Sequence, residues 1–116
     1  MGRKYARVSI SYKKRTVSSI LAFIDTGADL SIIGRSLAKR LGIKKPLYER
    51  AWTASDGDKR YSPIVEVSIK AQDDRNYIDL DEVIIDDAPL DEDSKEEVIL
   101  GLDYLQKAKK TLCFDD

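Results

Sequence analysis

The stretch LAFIDTGADLSII, residues 21–33, sets a carboxylate directly behind an apolar run: Phe23 and Ile24 lead into Asp25, and Thr26 and Gly27 follow at once. Burying an unpaired carboxylate beside such neighbours costs several kcal/mol. Asp25 therefore belongs at the mouth of the run or is held there for chemistry. Residues 17–24 have the character of a buried strand that delivers Asp25 at its C-terminal end. In front of it, residues 5–12 alternate, with Ala6, Val8, Ile10 and Tyr12 on one face and Arg7, Ser9 and Ser11 on the other, the period of a half-buried strand. Lys13, Lys14 and Arg15 form the turn between the two.

Beyond the motif, GRSLAKRLGI places Leu37, Ala38 and Leu41 at helical spacing, and Gly42 supplies the stop. Two β-type runs follow, residues 47–55 and 59–71, separated around SDGD, where Asp56-Gly57 suits a tight hairpin turn because both central positions of a type I′ turn need positive φ. Pro63 argues that the return arm starts at a sheet edge or outside a sheet. Residues 77–85 read as another strand and the acidic residues 86–97 as a solvated surface loop that lacks the glycine-centred pattern of a calcium site. VILG is a short buried strand, LDYLQKAKK a helix with Leu102, Leu105 and Ala108 on one face, and TLCF a last strand. About six or seven short strands with one or two small helices predict a mainly β, closed or folded domain.

The 116 residues suffice for one domain, residues 1–116, with a modest core. Hydrophobic residues make up 42% and charged residues 35%, the latter above the roughly 25% of ordinary soluble domains and suited to surface ion-pair networks. The apolar runs are too short to span a bilayer, so no membrane partner is expected. MGRKYARVSISY does not read as a signal peptide, and the lone Cys113 cannot build an internal disulfide framework, so the expected compartment is the cytoplasm. A buried or interfacial place suits Cys113, with a reactive thiol as the alternative. Residues 1–50 carry twelve Lys/Arg and three Asp/Glu, while residues 51–116 carry eight and eighteen. The basic residues are scattered and lack interleaved aromatics, so a nucleic-acid partner is not expected. Histidine is absent altogether. That excludes a Ser-His-Asp triad, a Cys-His pair and a histidine-bearing zinc site, and a single cysteine excludes a thiolate cluster. Carboxylate, lysine or tyrosine chemistry, or no catalysis at all, is what is left, and no cofactor or metal is expected.

Taken together, FIDTGADLSII, a helix ending in RLGI, a hairpin with Gly57 near its tip, and VILGLDYL resemble the retropepsin-like aspartic proteases, in the right order over nearly the whole chain. The chemistry of that family accounts for the residue types. Amide hydrolysis without metal or covalent nucleophile needs one carboxylate to take a proton from water and a neighbouring carboxylic acid to polarise the carbonyl. Two carboxylates about 3 Å apart share a proton and titrate as a pair, the aspartic-protease dyad being the standard instance. This chain has one Asp-Thr-Gly, and SDGD does not repeat it. The resemblance therefore implies a closed β-barrel-like homodimer, an aspartic endopeptidase whose second carboxylate comes from a second copy across a two-fold axis.

By the family's pattern, Asp25 is the catalytic acid/base, Thr26 bonds across the axis, and Gly27 lets backbone approach both partner and substrate. Ala28 and Asp29 border the peptide groove, and Ala54, Ser55, Asp56, Gly57 and Asp58 form a flap over it. Ile99, Leu100 and Gly101 pack behind. Retroviral members carry an arginine after the glycine matching Gly101, paired with the aspartate matching Asp29; here that position is Leu102. LGLDYL is closer to the cellular branch, which includes the retroviral-like domain of ubiquitin-shuttle DNA-damage-inducible proteins. A non-enzymatic peptide-binding or assembly module on the same fold is the alternative.

Overall fold

The computed structural model describes residues 4–53, 57–90, 93 and 95–108. The N-terminal alternation forms β1 (Tyr5–Tyr12), which turns at Lys13, φ 54°, into the antiparallel β2 (Arg15–Ile24). A register shift between Val8 and Ile10, opposite Ser19 at φ 58°, bends this hairpin. After the Asp25 loop come β3 (Ile32–Ile33), α1 (Arg35–Arg40), β4 (Tyr48–Thr53), β5 (Lys59–Ala71), β6 (Ile78–Ile85), β7 (Val98–Leu100) and α2 (Leu102–Lys107). Helix α1 ends as Gly42 predicts. At φ 75°, Gly42 donates to the Lys39 carbonyl and Ile43 to the Ala38 carbonyl, a Schellman cap.

The strands lie in the order β1-β2-β7-β3-β6-β5, and β5 pairs back with β1 to close a six-stranded barrel. Strand β7 is wedged between β2, to which it runs parallel, and β3, to which it runs antiparallel. Strand β4 sits outside the ring on the first half of β5, from Tyr48 opposite Ile64 to Thr53 opposite Lys59. Pairing of β5 with β6 begins at Ile64, so Pro63 falls where β5 has only β4 beside it. The described pairing of β4 with β5 runs to Thr53 opposite Lys59, and Gly57 has φ 90°; Asp56, and with it the Asp56-Gly57 turn, lies outside the described residues.

Continuous apolar runs such as SII, VII and VIL are explained by two cores on opposite sides of the wall. Val98, Leu100, Ile33, Val83, Ile85 and Val65 point into the barrel, whereas their neighbours Ile99, Ile32, Ile84 and Ile64 form a second, smaller cluster outside it. Period-2 alternation thus buries both faces of these strands. Phe23, Ala28, Leu30, Trp52 and Leu90 pack on the smaller cluster. Inside the barrel, the Tyr104 hydroxyl accepts from the Ala71 amide and donates to Asp74, both at 3.2 Å; burial is the first of the causes that hold it up at about 12.

The acidic segment departs from expectation. Asp86 and Glu96, read as part of a solvated face, are 2% and 6% exposed. Among the described residues no helix is long and apolar enough to cross a membrane. The TLCF strand and Cys113 lie outside the described residues.

Candidate active site

Asp25 follows the last residue of β2, and its own amide donates to the Leu100 carbonyl at 2.9 Å, so the strand pairing with β7 runs up to the carboxylate itself. The chain then turns: the Ala28 amide donates to the Asp25 carbonyl at 3.2 Å, and the Gly27 amide donates to Asp25 Oδ1 at 2.9 Å. Asp25 is half-buried, while Thr26 and Gly27 are exposed at the apex. Helix α2 holds the outgoing side. Its first amides, Leu102 and Asp103, donate to the carbonyls of Ala28 and Asp29 at 2.8 and 3.1 Å. The open N-terminus of a helix needs such acceptors, and the loop needs such donors.

Beneath the loop, Ser31 is fully buried. Its hydroxyl donates to Asp103 Oδ1 at 2.7 Å and accepts from the Gly101 amide at 3.0 Å, and its amide donates to Asp103 Oδ2 at 3.0 Å. Burial pushes the Asp103 carboxyl up, more than the hydrogen bonds from Ser31 and the Tyr104 amide pull it down. Gly101 is required by space alone: a Cβ there would lie 2.7 Å from the Ala28 carbonyl oxygen and 2.8 Å from that of Leu30. At the position where retroviral sequences carry the arginine stands Leu102, whose amide donates to the Ala28 carbonyl at 2.8 Å.

A cleft of about 490 Å³ opens over the loop. Asp25, Gly27, Ala28 and Asp29 line it, and Thr53 brings the end of β4 to the same cleft. Thr26 stands beside the cleft rather than in its wall. Gly57 and Asp58 are exposed on the hairpin and do not line it, and Ala54, Ser55 and Asp56 lie outside the described residues. Arg50, Trp52 and Pro89 also line the cleft, and sequence reasoning missed them as site residues. Tyr48, Arg50 and Trp52 share one face of β4 by strand period, which is the signal that was there to be read. Arg50 is paired with Glu82 at 2.8 Å, and the Tyr48 hydroxyl donates to the same carboxylate. Among the described residues no three His, Cys, Asp or Glu side chains group closely enough to hold a metal ion.

The sequence model of the family described as Aspartyl protease matches residues 8–104. The chain belongs to the aspartyl protease family. Its fold is that of the retropepsin-like members. The EIAV protease complexed with the inhibitor HBY-793 is 22% identical, with a TM-score of 0.66 over 96% of this chain and 92% of that one. The retropepsin-like aspartic protease from Rickettsia conorii is 18% identical, with a TM-score of 0.61 over 90% and 71%. The simian foamy virus (mac) protease is 16% identical, with a TM-score of 0.55 over 93% and 98%. No curated protein sequence matches the chain. At these identities the likeness to solved structures is one of fold, and in this aspartyl protease it extends over nearly the whole chain.

Proposed function

We propose that this chain is an aspartic endopeptidase of the cytoplasm that works as a homodimer. The observation that carries the reading is the presentation of Asp25: one carboxylate per chain, at the edge of a peptide-sized cleft, on a loop pinned by β7 and α2, with Thr26 and Gly27 left exposed beside it. A two-fold axis past that apex would bring two such loops together and supply the pair of carboxylates that the reaction needs.

In this mechanism one Asp25 takes a proton from a water held between the carboxylates while the other, protonated, donates a hydrogen bond to the scissile carbonyl. Water oxygen bonds to the carbonyl carbon, giving a tetrahedral diol. Proton return to the amide nitrogen then breaks the C–N bond and leaves a carboxylic acid and an amine. The protein contributes position: the Gly27 amide on Asp25 Oδ1 orients the carboxylate, and the α2 amides keep the carbonyls of Ala28 and Asp29 in place. Ala28 and Asp29 line the groove for an extended peptide, and the hairpin of β4 and β5 acts as its flap.

The test is a digest of a complex peptide mixture by the wild type and by Asp25→Asn from pH 4 to 7, with new termini read by mass spectrometry. Cleavage by the wild type alone is the expected result. Equal cleavage by the folded variant would overturn the mechanism, and silence from both would leave a peptide-binding module on this fold.

A further inference from the structure

The root of the β4–β5 hairpin holds a buried charge that the chemistry above does not use. Asp86, just past the end of β6, is 2% exposed. Its Oδ2 accepts from Arg60 Nε at 2.9 Å and from the Ser62 hydroxyl at 2.7 Å, and its Oδ1 accepts from Arg60 Nη2 at 3.1 Å and from the Ala88 amide at 2.9 Å. Ser62 in turn accepts from the Trp52 indole N–H at 2.8 Å. Trp52 lies opposite Arg60 across the hairpin, and Arg50 lies opposite Ser62. One carboxylate is thereby tied to β5 twice, to β4 through Ser62, and to its own loop through Ala88.

Those ties connect two walls of the cleft, since Trp52 lines one and Pro89, in the loop after Asp86, lines another. Apolar packing could hold the hairpin root about as tightly, because a buried ion pair loses in desolvation much of what it gains in attraction. What the ion pair adds is direction: a guanidinium fork on a carboxylate allows one spacing and one angle.

We infer that Asp86 is a positioning residue that fixes the β4–β5 hairpin over the cleft, through Arg60 directly and through Ser62 to Trp52, and so sets the width of the substrate groove. The kinetic consequence rests on the peptidase reading; the structural one does not. A loosened wall weakens substrate and transition state alike, so KM should rise while kcat holds.

Trp52 is the chain's single tryptophan, so its fluorescence reports on the hairpin without any need for turnover. In Asp86→Asn the emission is expected to shift to the red and acrylamide quenching to rise, with KM for a cleaved peptide up roughly tenfold, the size of one lost charge-assisted hydrogen bond, and kcat little changed. Ser62→Ala cuts the link to Trp52 alone, leaves the Arg60–Asp86 pair, and is expected to show the same shift; it decides the matter if Asp86→Asn fails to fold. Wild-type emission and quenching in a folded variant overturns the proposal, and so does a shifted emission with KM unchanged. If no peptide is cleaved by the wild type, the peptidase reading fails by itself, and the fluorescence, repeated in Asp25→Asn, still decides whether Asp86 holds the hairpin.

Discussion

Asp86 shows how far a single residue can stand from its sequence neighbourhood. It opens DDAPLDEDSKEE, a composition that reads as solvated, and nothing local announces that its partner Arg60 is 26 residues upstream. Burial alone would push its carboxyl up, but the bonds from Arg60, Ser62 and the Ala88 amide, with the Arg60 charge, outweigh that and hold it at about 2, against an ordinary 3.8. A carboxyl lowered in the folded state stabilises the fold above its unfolded pKa and loses that stabilisation as pH falls through the folded value. The window here runs from about pH 4 down to about pH 2, and the amount at stake is about 2 kcal/mol. Denaturant unfolding at pH 6 and pH 2 should show the wild type losing about that much more stability than Asp86→Asn. Equal losses would mean that the charge is not stabilised in the fold. Asp25, Gly27, Ala28 and Asp29 were legible for the opposite reason, since a strand, a carboxylate and a glycine adjacent in sequence make their site by adjacency.

Among the elements, those with a period of their own were readable. Residues 5–12 and 59–71 form β1 and β5 with the bounds that their alternation suggests, and α1 ends at its glycine. Strand β3 was missed because two residues, Ile32 and Ile33, have no period, and it exists only because β7 and β6 flank it. The junction of β7 with α2 is where elements constrain one another most. Gly101→Ala places a methyl within 3 Å of two backbone oxygens of the Asp25 loop, which cannot rotate away as a side chain would. The expected cost is on the order of 1–3 kcal/mol by thermal or denaturant unfolding, with peptide cleavage falling further than stability because the displaced segment is the one that carries Asp25. An alanine variant with wild-type stability and cleavage would show that this junction has slack.

At the scale of the whole molecule, the proposed dimer predicts that activity depends on concentration in a way a monomeric enzyme's does not. Separating two copies removes half of the carboxylate pair, so the rate per chain should fall on dilution and recover on concentration. A rate strictly proportional to protein down to the detection limit would count against it. The barrel that each copy brings is closed by late-arriving sequence. Strand β7 is residues 98–100, yet it fills the gap between β2 and β3, both made much earlier, and its Leu100 carbonyl receives the Asp25 amide. During synthesis, a chain that has emerged only as far as β6 has two apolar strands with bare edges, the kind of surface that recruits other strands. Such a nascent chain also has no seat for Asp25. A ribosome-bound fragment short of β7 therefore exposes strand edges and leaves the Asp25 amide without its acceptor, and the same three residues end both conditions at once.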